Sequence, residues 1–206
     1  MLVSLDKLFA FVLSMSKRHN IDSSHSECHS MDVLHFTHNI YKHEVQTFPI
    51  LREQENIIYT AAVLHDMCDR KYVTPTEGLQ EIEYFLEDKL TPTEIYYANR
   101  IMDTMSYSKV KKYGYPDLGD FTPAYHVVRE ADLLASYDFD RSVIYNMHKG
   151  NSLTDSYFNA LQLFDDRVLN YNNDKLLLSE YAQMCSVPLT VRATNRMQVW
   201  QKILRV

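Results

Sequence analysis

Apolar residues recur along this chain three and four positions apart, and no convincing run of alternating apolar residues interrupts them. Near the N-terminus Leu5, Leu8, Phe9 and Val12 repeat at helical spacing, as a packed first helix requires. A denser apolar run covers Ile57 to Leu64, and another covers Val127 to Leu134. Between them lie two apolar-periodic runs, Leu79, Ile82, Tyr84, Phe85 and Leu86, then Ile95, Tyr96, Ala98, Ile101 and Met102. The same punctuation precedes each run: Thr74-Pro75-Thr76-Glu77 and Thr91-Pro92-Thr93-Glu94. Such a segment offers a threonine N-cap, a proline where a helix needs no N–H, and a glutamate that closes a capping box. Thr122-Pro123 opens a further helix running to Leu134, and Lys149-Gly150 closes one, with a basic last turn and a glycine able to take positive φ. Later segments predict helices near 153–170, 175–184 and 189–204. The pattern predicts an all-α protein.

The stretch from Ser106 to Phe121 breaks this rhythm with Gly114, Pro116, Gly119 and three lysines. It predicts a long connection of the kind that is often functional or mobile. Neither a repeat nor an interdomain linker interrupts the sequence. One domain over 1–206 is therefore expected, with its core at about 20–140 and appended helices over 150–206.

A length of 206 residues with 46% hydrophobic content suffices for one buried core. Only four glycines and six prolines argue against a turn-rich β-fold. The net charge of −6, with no long basic block to offset it, disfavours a nucleic-acid polymer as partner. It leaves room for a nucleotide, which needs only a local basic pocket. Cys28, Cys68 and Cys185 lack the paired spacing of a zinc ribbon, which predicts reduced thiols. The apolar stretch Leu8–Leu13 is too short to span a bilayer and lacks the flanks of a signal peptide. A soluble, cytoplasmic protein with no membrane partner is expected. Fifteen tyrosines and nine methionines are compatible with a homo-oligomer interface.

Candidate chemistry comes from polar residues in apolar surroundings. On a helix over roughly 25–43, His29 falls in one narrow stripe with Val33, Phe36 and Ile40. His65 shares an inward face with Ile58, Ala61 and Ala62, and Asp66 follows it directly. Asp132 stands between Ala131 and Leu133-Leu134. One such histidine is most simply a hydrogen-bonded core residue, but a buried carboxylate needs a partner. A single cation held by His29, His65, Asp66 and Asp132 explains all of these positions together. Two imidazole nitrogens and two carboxylate oxygens suit Mn²⁺, Co²⁺, Ni²⁺, Fe²⁺, Zn²⁺ or Mg²⁺. Open positions on such an ion would acidify a water and polarise a phosphoryl group.

The order His29, His65-Asp66, Asp132, each in an apolar helical context, resembles the HD-domain metal-dependent phosphohydrolases over roughly residues 20–140. Asp22-Ser23-Ser24-His25 through His29 looks like that family's opening helix, and Leu64-His65-Asp66-Met67-Cys68-Asp69-Arg70-Lys71 like its central motif. The resemblance implies an HD-type helical bundle that hydrolyses a nucleotide or other small phosphate ester with one divalent metal ion. It also implies that Asp69, three positions after the motif aspartate, handles the attacking water. Helical spacing would give Asp69 one face with His65 and Asp66. Lys71 and Arg70 stand where they could meet phosphate charge. Lys109 could also meet phosphate charge; its segment Ser106-Tyr107-Ser108-Lys109 is similar to a Ser-aromatic-Ser-Lys segment of some bacterial HD hydrolases that act on nucleoside triphosphates.

Other readings stay open. HD domains are reused as non-catalytic binding or scaffold proteins that keep a structural or sensing metal site. A metal-dependent oxygenase on the same fold would need more histidines than align here. His35, His38 and His43 fall off the His29 stripe, and His126 lies about 120° from Asp132 on a helix. Cys68 is expected to be a small core residue rather than a nucleophile.

Overall fold

The computed structural model describes residues 3–22 and 24–206, so Ser23 of the Asp22–His25 segment lies outside the described residues. Among the described residues there are ten α-helices and no strand. They are α1 Leu5–His19, α2 Glu27–Thr47, α3 Glu55–Leu64, α4 Pro75–Leu86, α5 Pro92–Thr104, α6 Tyr107–Tyr113, α7 Thr122–Ala135, α8 Phe139–His148, α9 Leu153–Asp166 and α10 Glu180–Leu204. The protein is all-α, as its periodicity predicts. No helix of the described residues is long and apolar enough to cross a membrane.

The centre is built from α2, α3 and α7, which pack against one another, with α1 and α5 closing over α3. Nearly every side chain of α3 from Ile57 to Leu64 is buried, which is what a helix apolar on all sides demands. In α1 the buried positions are Leu8, Val12, Met15 and Ser16, while Leu5 is exposed.

The Thr-Pro-Thr-Glu segments start helices as expected. At α5 the box is complete: Thr91 Oγ1 accepts from the Glu94 N–H at 3.3 Å and Glu94 accepts from the Thr91 N–H at 2.8 Å. At α4 only the first of these backbone bonds forms, and Thr74 donates its hydroxyl to Glu77 instead. Such a cap contributes about 1 kcal/mol.

Two expectations are corrected. The 106–121 connection is helical over α6, which starts after Ser106 and buries Val110, and the helix stops at Gly114 with φ of 76°. The breaks expected near 185–188 do not occur either, since α10 runs unbroken through Pro188. Proline removes the N–H that would bond the Met184 carbonyl, and Met184 itself lies on the exposed side of the helix.

Two charged neighbours on α7 tie the C-terminal helices to the centre. Arg129 and Glu130 are each 1% exposed. Glu130 accepts from the Leu178 and Ser179 N–H groups, both at 3.0 Å, and from Ser179 Oγ at 2.7 Å. Arg129 donates to the Leu176 carbonyl at 2.6 Å and pairs with Glu130 at 3.3 Å. A buried charge pair is tolerable only with such compensation. Here it fixes the approach to Ser179, the N-cap of α10.

Candidate metal centre

His29 lies in the first turn of α2, 2% exposed, above Val33 and Ile40, which are fully buried. Helix α7 packs along α2 and brings Asp132 Oδ1 to 3.2 Å from His29 Nε2. The third contribution comes from the end of α3. There the α-helix stops at Leu64, and His65–Cys68 tightens into a 3₁₀ turn. Helix α4 holds this turn closely: a Cβ added at Gly78 would sit 2.8 Å from the Cys68 Cα.

Four side chains from three segments converge. His65 Nε2 is 3.2 Å from His29 Nε2 and 3.6 Å from Asp132 Oδ1. Asp66 Oδ2 lies 3.5 Å from His29 Nε2 and 3.4 Å from His65 Nε2. One donor atom each from His29, His65 and Asp66 falls within 4.8 Å of the others. His65 Nδ1–H donates to the Ala62 carbonyl at 2.9 Å, so its Nε2 faces the cluster, the arrangement that orients metal-binding histidines.

The electrostatics favour a cation. Burial lowers the basicity of His29 and the Arg141 guanidinium lowers it further, to about 4. Burial opposes a proton on His65, yet the Asp66 charge outweighs it and raises His65 to about 9. Burial works against ionised Asp66 and Asp132 as well, but His65 beside Asp66 and the His29 hydrogen bond to Asp132 hold both carboxyls well below the usual range. Two carboxylates held in their ionised form thus lie against the two imidazoles in one buried ring. Asp66 Oδ2 is buried without a hydrogen-bond partner among the described residues. A divalent ion would satisfy both the charge and the orphaned oxygen, so the donor set fits one.

Above the cluster opens a cavity of about 590 Å³, lined among others by Asp69, Arg70, Lys71 and Lys109. All eight site residues expected from the sequence therefore meet in one place. The route by which Asp69 gets there differs from expectation. The 3₁₀ turn ends at Asp69, whose backbone is extended with φ −67° and ψ 124°, so no helical face joins it to His65 and Asp66. Its carboxylate instead accepts from the Lys71 N–H at 2.9 Å and pairs with Lys71 Nζ at 3.2 Å. Lys71 also reaches His25 Nε2 at 3.0 Å, and Lys109 pairs with Asp103 at 2.6 Å.

Sequence reasoning missed His25, Arg141, Tyr145 and Arg167, which line the same cavity. The four-residue spacing of Arg141 and Tyr145 on α8 was the available signal for a shared face. Arg167 lies just past α9 and carried none. Arg141 donates to the Ser24 carbonyl at 3.0 Å. Cys68 is buried at the cavity floor, and burial pushes its thiol up to about 12. His126 packs against Tyr115 and Tyr125, and it does not line the cavity.

No protein-family model matches the chain, and no curated protein matches it. Among solved structures, it is similar to the crystal structure of a Northeast Structural Genomics target from Lactobacillus plantarum. The TM-score is 0.72 at 19% identity, over 100% of this chain and 99% of that one. At that identity the likeness shows a shared fold from end to end.

Proposed function

We propose that the chain is a divalent-metal-dependent phosphohydrolase of the HD type, acting on a nucleotide or another small phosphate ester. The observation that carries this reading is the convergence of His29, His65, Asp66 and Asp132 beneath a cavity whose walls supply Arg70, Lys71 and Lys109. The four cluster residues would hold the ion, with Ala62 keeping His65 in the ligating tautomer. When bound, the ion supplies Lewis acidity toward a phosphoryl oxygen and toward water. Asp69 orients the attacking water and takes its proton. Arg70, Lys71 and Lys109 neutralise the phosphate oxygens, with Lys71 exchanging its contact to Asp69 for one to substrate.

The test is a metal-by-substrate screen on metal-stripped protein. Mn²⁺, Co²⁺, Ni²⁺ and Mg²⁺ are added against nucleoside mono- and triphosphates, with phosphate and pyrophosphate detected separately. Activity should return with metal and vanish in Asp66→Ala, and Asp69→Asn should lose about 10²–10⁴-fold in kcat. A second reading, a non-catalytic binding or scaffold protein with a structural or sensing metal, draws on the pairs Lys71–Asp69 and Lys109–Asp103. These already neutralise two of the cavity's cations. Silence across the panel despite tight metal binding, together with a tolerated Asp69→Ala, would establish that second reading.

A further inference from the structure

Arg167 is a cavity cation fixed by two aromatic residues. Its guanidinium stacks over the Tyr107 ring at 4.1 Å, and its Nε–H donates to the Tyr171 hydroxyl at 3.1 Å. Tyr171 is fully buried, and its hydroxyl lies 3.0 Å from Ser136 Oγ. Ser136 Oγ in turn donates to the Leu133 carbonyl at 2.7 Å. A carbonyl only accepts and serine has a single hydroxyl proton. With that proton on Leu133, the Tyr171 proton goes to Ser136, and the Tyr171 oxygen is left to accept from Arg167. The chain of donation therefore runs one way, from Arg167 through Tyr171 and Ser136 to the backbone of α7. It is anchored one helical turn beyond Asp132, whose carbonyl accepts from the Ser136 N–H.

This chain uses Nε and one face of the guanidinium. The two terminal nitrogens make no hydrogen bond or ion pair to a described residue, and Arg167 lines the cavity that holds the His/Asp cluster. A planar fork with free terminal N–H groups, fixed in advance by stacking, matches a phosphate edge bidentately and loses little entropy on binding. Lys71 and Lys109 differ, because each already pairs with an aspartate.

We propose that Arg167 forms a second anion subsite, which holds a non-reacting phosphate group of the substrate while the reacting phosphate sits at the His29–His65–Asp66–Asp132 cluster. The reacting end of this assignment rests on the phosphohydrolase reading. The subsite makes the substrate a molecule with at least two phosphate groups, and Tyr171 is a positioning residue for Arg167.

The test reads binding, so it does not depend on turnover. Orthophosphate, pyrophosphate and tripolyphosphate are titrated calorimetrically into the Mn²⁺-loaded protein, wild type and variants. In the wild type, affinity should step up at the chain length that reaches Arg167. In Arg167→Gln that step should shrink by about tenfold or more, as loss of a charge-assisted bidentate contact requires. Arg167→Lys should restore only part of it, because a point charge cannot replace the fork. Tyr171→Phe should shrink the step with a Tm close to wild type, which separates positioning from folding. A step that is equal in wild type and Arg167→Gln overturns the proposal, even if the enzyme hydrolyses phosphate esters. Loss of orthophosphate affinity in Arg167→Gln with the step unchanged also overturns it, by making Arg167 a site for free phosphate. If the wild type hydrolyses nothing, a step abolished by Arg167→Gln still supports the subsite, and only the phosphohydrolase reading fails.

Discussion

The Nε2 atoms of His29 and His65 face each other across 3.2 Å, inside a ring closed by Asp66 and Asp132. Two ring nitrogens at this distance need a shared hydrogen or a cation between them, since two bare lone pairs would repel. A proton supplies one unit of charge and a divalent ion supplies two, against the two carboxylates present.

It follows that a divalent ion should stabilise the fold measurably. An ion at a hundred times its Kd adds about 2.7 kcal/mol, a Tm rise of roughly 5–10 °C for a chain of this size. Thermal unfolding with and without Mn²⁺, before and after chelation, checks this. Asp66→Ala and Asp132→Ala should abolish the rise. An equal rise in these variants would locate the ion elsewhere.

Gly78 links the cluster to α4. An alanine Cβ there would lie 2.8 Å from the Cys68 Cα and 3.0 Å from Val73 Cγ1. The first of these neighbours is backbone, so the 3₁₀ turn must move. Gly78→Ala is expected to cost about 1–3 kcal/mol in urea denaturation. Because the same turn carries His65 and Asp66, the variant should also bind Mn²⁺ more weakly. Unchanged metal affinity would mean that α4 alone absorbs the strain.

Glu130 provides a control on the opposite side of α7. Its removal leaves Arg129 buried and unpaired and strips acceptors from Leu178 and Ser179. Glu130→Ala should cost about 3–5 kcal/mol, as breaking buried pairs does. Limited proteolysis should then cut first near 176–179. A loss under about 1 kcal/mol would show that α10 does not need this clasp.

The acid limb of stability should carry a signature of His126. Burial, and then the Arg129 charge, lower this histidine from 6.5 to about 4. Between those two values the unfolded chain binds more protons than the folded one, so its contribution is fully present above pH 6.5 and is lost as pH falls toward 4. His126→Phe, packed between Tyr115 and Tyr125, should lose less stability than wild type between neutral pH and pH 5. Parallel slopes for the two proteins would refute the assignment.

Much of this architecture can be read from the chain because its signals are local. Thr91 and Glu94 announce α5 through a cap that needs no tertiary contact, and the His29 stripe needs only helical periodicity. Asp69 shows where periodicity misleads, since the count of helical turns continued past Leu64, where the chain had already tightened and then extended. The two helices expected near 175–184 and 189–204 erred in the opposite way, because α10 continues through the gap between them, Pro188 included. Arg167 was illegible for a different reason: its place depends on α9 ending where Tyr107 and Tyr171 arrive from elsewhere. Each of these residues is ordinary in its own sequence neighbourhood.

The contact between His29 and Asp132 spans 103 residues of chain. Loop-closure entropy weighs against so distant a pairing until the intervening helices have packed. The cluster is therefore expected to complete its donor set only after α2 and α7 have packed. Metal uptake, followed in time during refolding, would then act as a stopwatch for that packing step, lagging behind the growth of helix content.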